Sequence, residues 1–152
     1  MLRNEFKNNL LSAMKAKETI KVSTLRLILA AIKDRDLESR GKGTGDIVND
    51  TVILEILSKM IKQRIETAKV YEKAGRNELA DTEKKEIDII NAYMPKMLTA
   101  NELEKVITDA IENMEAKSLR DLGKVISKIK EDFTGRCDFA EVSQILRKRL
   151  EG

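Results

Sequence analysis

Pro95 is the only proline in 152 residues, and it stands where a helical pattern has to stop. The stretch Ile87 to Met94 reads as helix. Proline offers no N–H and disfavours helical backbone in the residue before it, so that helix ends close to Met94. Shortly afterwards Thr99-Ala100-Asn101-Glu102 forms a capping box, in which a threonine oxygen takes an orphan N–H and a glutamate reaches back to the cap. The chain therefore divides into a helical domain over 1–95 and a second over 96–152.

Apolar spacing fills in both halves. Leu2, Phe6, Leu10 and Met14 recur at helical intervals and predict a first helix over about 2–17. A second starts near Thr19, carries Ile20, Leu25, Ile28, Leu29 and Ile32 inward, and runs toward Arg40. Asn49 or Asp50 caps a third, with Ile53, Ile56, Leu57, Met60, Ile61, Ala68 and Tyr71 as its buried stripe and Gly75 as its stop. A fourth, capped by Asn77, reaches the proline. Three shorter helices follow. Thr99 opens one, Ser118 with Asp121 opens the next, and Asp138 caps the last, which buries Phe139, Val142, Ile145, Leu146 and Leu150. No strand alternation and no internal repeat are visible. The expected fold is all-α: an N-terminal bundle of about four helices followed by a C-terminal three-helix domain.

Several chemistries drop out. The chain has no histidine and a single cysteine, which removes Ser-His-Asp and Cys-His arrangements, an internal disulfide and the usual zinc sites. No catalytic residue, metal site or cofactor is expected. Gly41-Lys42-Gly43-Thr44-Gly45 lacks the P-loop spacing and has no strand before it, so it reads as a helix connector. Cys137 sits beside Arg136 at the start of the last helix, where a thiol can be activated. Without a base it reads as an incidental small residue, and Cys137→Ala should leave the fold intact. No apolar run is long enough to span a membrane, and the amphipathic N-terminus lacks an apolar signal core, so a cytoplasmic setting without membrane attachment is expected.

Charge is uneven. Residues 1–95 hold 18 Lys/Arg against 15 Asp/Glu, 96–116 hold two against five, and 117–152 hold nine against six. Lys124 and Lys128 share a helix face, Arg136 follows in a turn, and Arg147 to Arg149 end the last helix. This basic set suits a phosphate backbone. Lys62 and Arg64, beside Lys59, form a second patch in the first domain. With 3% aromatic residues, base stacking is scarce, so contact would be to phosphates and shape. No base-reading pattern for DNA is visible, and none is expected.

Taken in order, Arg26-Leu27, Lys33-Asp34, Met60-Ile61-Lys62-Gln63-Arg64, Tyr71-Glu72-Lys73-Ala74-Gly75-Arg76, Leu79-Ala80-Asp81, Glu83, Glu86-Ile87, Tyr93-Met94-Pro95, Asp121-Leu122-Gly123-Lys124-Val125 and Gly135-Arg136-Cys137-Asp138 resemble the YqeY-like (GatB/YqeY) family over nearly the whole chain. Family members usually carry leucine where Met94 stands and a small residue where Cys137 stands. The resemblance implies a C-terminal domain similar to the tail of the tRNA-dependent amidotransferase B subunit, a tail that helps hold tRNA. It implies tRNA, or an enzyme handling tRNA, as partner, and a place in translation. The RNA-binding candidates are Lys124, Lys128, Arg136 and Arg147, with Lys62 and Arg64 second. Nothing here is similar to that enzyme's catalytic cradle. Two alternatives stay open: glutamine-dependent carbon–nitrogen ligase activity, alone or as a subunit, and a helical protein-interaction module.

Overall fold

The computed structural model describes residues 1–41 and 47–151, and every regular element among them is helical. The chain forms two compact units, Met1–Met94 and Pro95–Gly152. The first holds α1 (Leu2–Lys15), α2 (Thr19–Gly41), α3 (Asp50–Lys73) and α4 (Asn77–Asn91). The second holds α5 (Ala100–Asn113), a single 3₁₀ turn (Leu119–Asp121), α6 (Leu122–Phe133) and α7 (Phe139–Glu151). Gly41 closes α2, and the rest of the expected glycine connector, residues 42–45, lies outside the described residues.

In the first unit most of the predicted stripes meet in one core, but Met14 is exposed and Ala13, one position earlier, is buried instead. Phe6, Leu25, Ile28, Ile53, Leu57 and Ile90 are fully buried, and Leu2, Leu10 and Tyr93 pack around them. Tyr93, two residues before the proline, is anchored twice. Its ring meets Phe6 edge-on at 4.8 Å, and its hydroxyl accepts a hydrogen bond from Asn9 Nδ2 at 2.6 Å. The end of this unit is thereby tied back to its first helix. Asn49 caps α3 by accepting the Val52 N–H, and Gly75 ends it with φ near +73°, a conformation that glycine adopts without penalty. Asn77 departs from expectation: it is the first residue of α4 and not its cap. The reversal at Gly75 carries Arg76 into the cap position, where its N–H bonds to the Tyr71 carbonyl at 2.8 Å.

A bolt joins three segments of this unit. Arg3 makes two parallel bonds to Asp36, at 2.8 and 2.7 Å, and donates to the Val48 carbonyl at 2.8 Å. Asp36 also accepts the Val48 N–H at 2.9 Å. The Arg3 guanidinium, helped by that N–H, holds the Asp36 carboxyl below its ordinary range against the opposing effect of burial. A carboxyl whose proton affinity is lowered by folding adds stability above its unfolded pKa, and the contribution is lost as pH falls through the folded value. Asp36→Asn is therefore expected to lower the stability of the first unit by about 2 kcal/mol at neutral pH. The gap from wild type should narrow in acid below about pH 4, which urea unfolding at both pH values measures.

The second unit follows its caps. Glu102 N–H donates to Thr99 Oγ1 at 3.2 Å and Thr99 N–H donates to Glu102 Oε1 at 3.3 Å, which is the predicted capping box. Asp121 accepts the N–H groups of both Lys117 and Ser118, at 2.9 and 3.3 Å. That tightens the entry into the 3₁₀ turn, so the α-helix begins only at Leu122 and not directly after Ser118. Asp138 Oδ1 accepts the Ala140 N–H at 3.0 Å at the start of α7. Leu103, Ile107, Val125, Ile129, Val142 and Leu146 form the core of the unit.

Candidate nucleic-acid interface

Val125 and Ile129 form the buried stripe of α6, and Lys124 and Lys128, each one position earlier, lie exposed along its flank. The two differ in state. Lys128 pairs with Asp132 at 3.6 Å and Glu131 at 3.9 Å, on its own helix. These are exposed pairs of small energetic weight, but they neutralise the local field. Lys124 is exposed and makes no side-chain hydrogen bond or ion pair among the described residues. On α7 the buried positions are Val142, Leu146 and Leu150, which leaves Arg147 and Lys148 outside. Arg147 likewise has no side-chain partner among the described residues. Its neighbour Arg149 is engaged, donating to Thr108 Oγ1 at 2.6 Å and to Glu104 on α5. Because α6 packs on α7, Lys124 and Arg147 are carried by one helix pair.

Arg136 has an internal role that its sequence position does not reveal. Its Nε donates to the Lys96 carbonyl at 3.0 Å, and its guanidinium carbon stands 5.7 Å from the centre of the Phe133 ring. The Arg136 carbonyl accepts the Leu98 N–H at 2.7 Å. The turn between α6 and α7 thus clasps the segment that follows Pro95, and Arg136 is only partly exposed.

The second patch comes apart. Lys62 is exposed on α3, but Arg64 is mostly buried and serves α4: its Nε donates to Glu86 at 3.0 Å and its Nη1 to the Met60 carbonyl at 3.3 Å. The paired side chains are 14% and 16% exposed, so the guanidinium holds the α3–α4 contact and does not face solvent. Glu83, one turn before Glu86, has its carboxyl pushed up by burial and by the Glu86 charge, with Arg64 opposing. Lys62 and Arg64 also belong to the first unit, whereas the other four candidates belong to the second.

Cys137 is half-buried, its sulfur 3.9 Å from the Phe133 carbonyl. Burial first, then Asp138 and Glu141, push its thiol above the ordinary value despite Arg136. A thiol so placed is mostly protonated near neutral pH and a poor nucleophile. A groove of about 380 Å³ between α5 and α7 is lined by Ile111, Ala116 and Leu150 with Thr108, Glu112, Lys117 and Arg149. Its one hydroxyl, on Thr108, is taken by Arg149. Among the described residues no group of three or more Cys, Asp or Glu is placed to hold a metal ion.

Comparison with known proteins adds relatives to this geometry. Residues 3–150 match the family model described as "Yqey-like protein". "Altered inheritance of mitochondria protein 41, mitochondrial" of Clavispora lusitaniae is 28% identical over 134 residues, which cover 86% of this chain and 75% of that protein. The protein of the same name from Eremothecium gossypii is 35% identical over 95 residues, 62% of this chain and 50% of its own length. That of Saccharomyces cerevisiae is 27% identical over 128 residues, 81% of this chain and 67% of its own. The chain thus spans between half and three quarters of the length of these relatives.

Proposed function

The chain belongs to the YqeY-like family, and on that footing we propose that it is an accessory protein that binds tRNA, alone or on a tRNA-handling enzyme, through phosphate contacts of its second unit. The observation that carries this is the selective freedom of Lys124 and Arg147. Arg149 and Lys128 are engaged in ion pairs by acids of their own unit, while these two stand exposed with no ion pair or side-chain hydrogen bond among the described residues, Lys124 feeling only the charge of Asp121 one turn away. Free surface cations release counterions from a nucleic-acid backbone when they bind it, and that release supplies affinity without base recognition. With two tyrosines, three phenylalanines and no tryptophan, stacking on unpaired bases adds little.

Amide transfer is assigned to a partner and not to this chain. The residues support that division: there is no histidine, and the one thiol is held protonated by burial. Family and fold alone do not confer the activity of the larger enzyme that shares a similar tail. In this reading the protein works in the cytoplasm alongside tRNA. No helix among the described residues is long and apolar enough to cross a membrane. The relatives quoted above carry a mitochondrial designation in their names, and cell fractionation decides the compartment for this chain. Electrophoretic mobility shift with total cellular tRNA tests binding. Incubation with glutamine and misacylated tRNA tests the division of labour, with no amide product expected from the purified protein.

A further inference from the structure

Arg136 is held from two sides, and what remains of it is open. Its Nε is fixed on the Lys96 carbonyl and its plane lies near the Phe133 ring. Nη1 and Nη2 make no hydrogen bond or ion pair among the described residues. A guanidinium already fixed in orientation loses less freedom on binding, and its free nitrogens suit the oxygens of a phosphate.

The clasped segment brings two more charges to the same place. Lys96 contributes only its carbonyl to the clasp; its ammonium is exposed and unpaired among the described residues. Three residues on, Thr99 is bonded to the Glu102 carboxylate at the start of α5. Hydrogen bonds from Thr99 hold the Glu102 carboxyl below its ordinary value, and the charges of Arg136 and Lys96 add to this. Two cations and one carboxylate therefore share a small region of the second unit.

Resting on the tRNA-binding reading, we infer that Arg136 and Lys96 form a two-cation site for an RNA phosphodiester, with Glu102 as a repulsive neighbour that weakens the grip. The carboxylate keeps a strong anion site from forming, in line with a protein that releases its RNA. Its effect is opposite in sign to that of the cations, which separates the site from a purely structural clasp.

Three substitutions in the full chain test this by mobility shift with total tRNA at about 50 mM salt. Lys96→Gln leaves the backbone clasp untouched; it should weaken binding by about three- to tenfold and lower the salt slope by about one. Glu102→Gln keeps a capping box, because glutamine also reaches the cap, and should tighten binding by about two- to threefold. Arg136→Lys keeps the charge but not the planar fork, and should lose part of the affinity. Wild-type binding with Lys96→Gln and Glu102→Gln both at wild-type affinity overturns the site and leaves tRNA binding standing. Absence of a wild-type shift at this salt overturns the tRNA reading and the site with it.

Discussion

Lys124→Glu combined with Arg147→Glu is expected to weaken tRNA binding on the order of a hundredfold at low salt. Each change removes a phosphate contact and adds a repulsion of about 1 kcal/mol across solvent. Folding should be nearly unaffected. Both side chains are exposed and make no ion pair among the described residues, and even with the Asp121 charge near Lys124 such surface changes stay within about 0.5 kcal/mol. A glutamate at 124 falls in the first turn of α6, where the helix dipole favours it, while one at 147 sits near the end of α7, where it is mildly disfavoured. Circular dichroism melts establish the fold and mobility shift gives the affinity. The same reversal at Arg136 would be harder to interpret, because it also breaks the clasp on Lys96. Wild-type binding by the Lys124/Arg147 double variant would remove both residues from the interface.

Arg64→Met is expected to cost the first unit about 3 kcal/mol, the largest stability effect proposed here. The Arg64–Glu86 pair is mostly buried, and removing one partner leaves an uncompensated carboxylate beside Glu83, whose own carboxyl already resists ionisation. For a unit of this size such a loss lowers the melting temperature by roughly 10–20 °C. Arg64→Met/Glu86→Leu should recover most of it, since the desolvation of both charges disappears together. Thermal melts of the three variants measure the coupling. If Arg64→Met melted with wild type, the pair would be surface-like and Arg64 would be released for the RNA-binding role that its sequence position suggests.

Arg64 also marks the limit of what the sequence makes legible. Signals carried by neighbouring residues were readable: the Pro95 stop, the Thr99 box, the Asn49 cap and the Gly75 reversal all involve groups within a few positions of one another. The same holds for Lys128, whose acids lie three and four residues away. Arg64, Arg149, Arg3 and Arg136 each bind a group from a segment 22 to 45 residues distant, beside the local contacts of Arg64 with Met60 and Arg136 with Phe133. No local pattern distinguishes these engaged arginines from the free Arg147, because only packing decides which acid or carbonyl comes within reach. Lys17 and Glu115 show a similar limit. Both take left-handed backbone, with φ of 59° and 51°, after α1 and α5, a task for which glycine is the usual sign. Four of the six candidate cations fall in one unit, and within it the free and the engaged residues could be sorted only by their contacts.

The salt dependence of tRNA affinity tests the central claim most directly. Wild-type protein is titrated into labelled total tRNA between about 50 and 200 mM salt. About four phosphate contacts, from Lys124, Arg147, Arg136 and Lys96, predict a loss of affinity on the order of a hundredfold across that range, with little dependence on tRNA sequence. No shift at the lowest salt, or a shift that does not respond to salt, would contradict the account and turn attention to a protein partner.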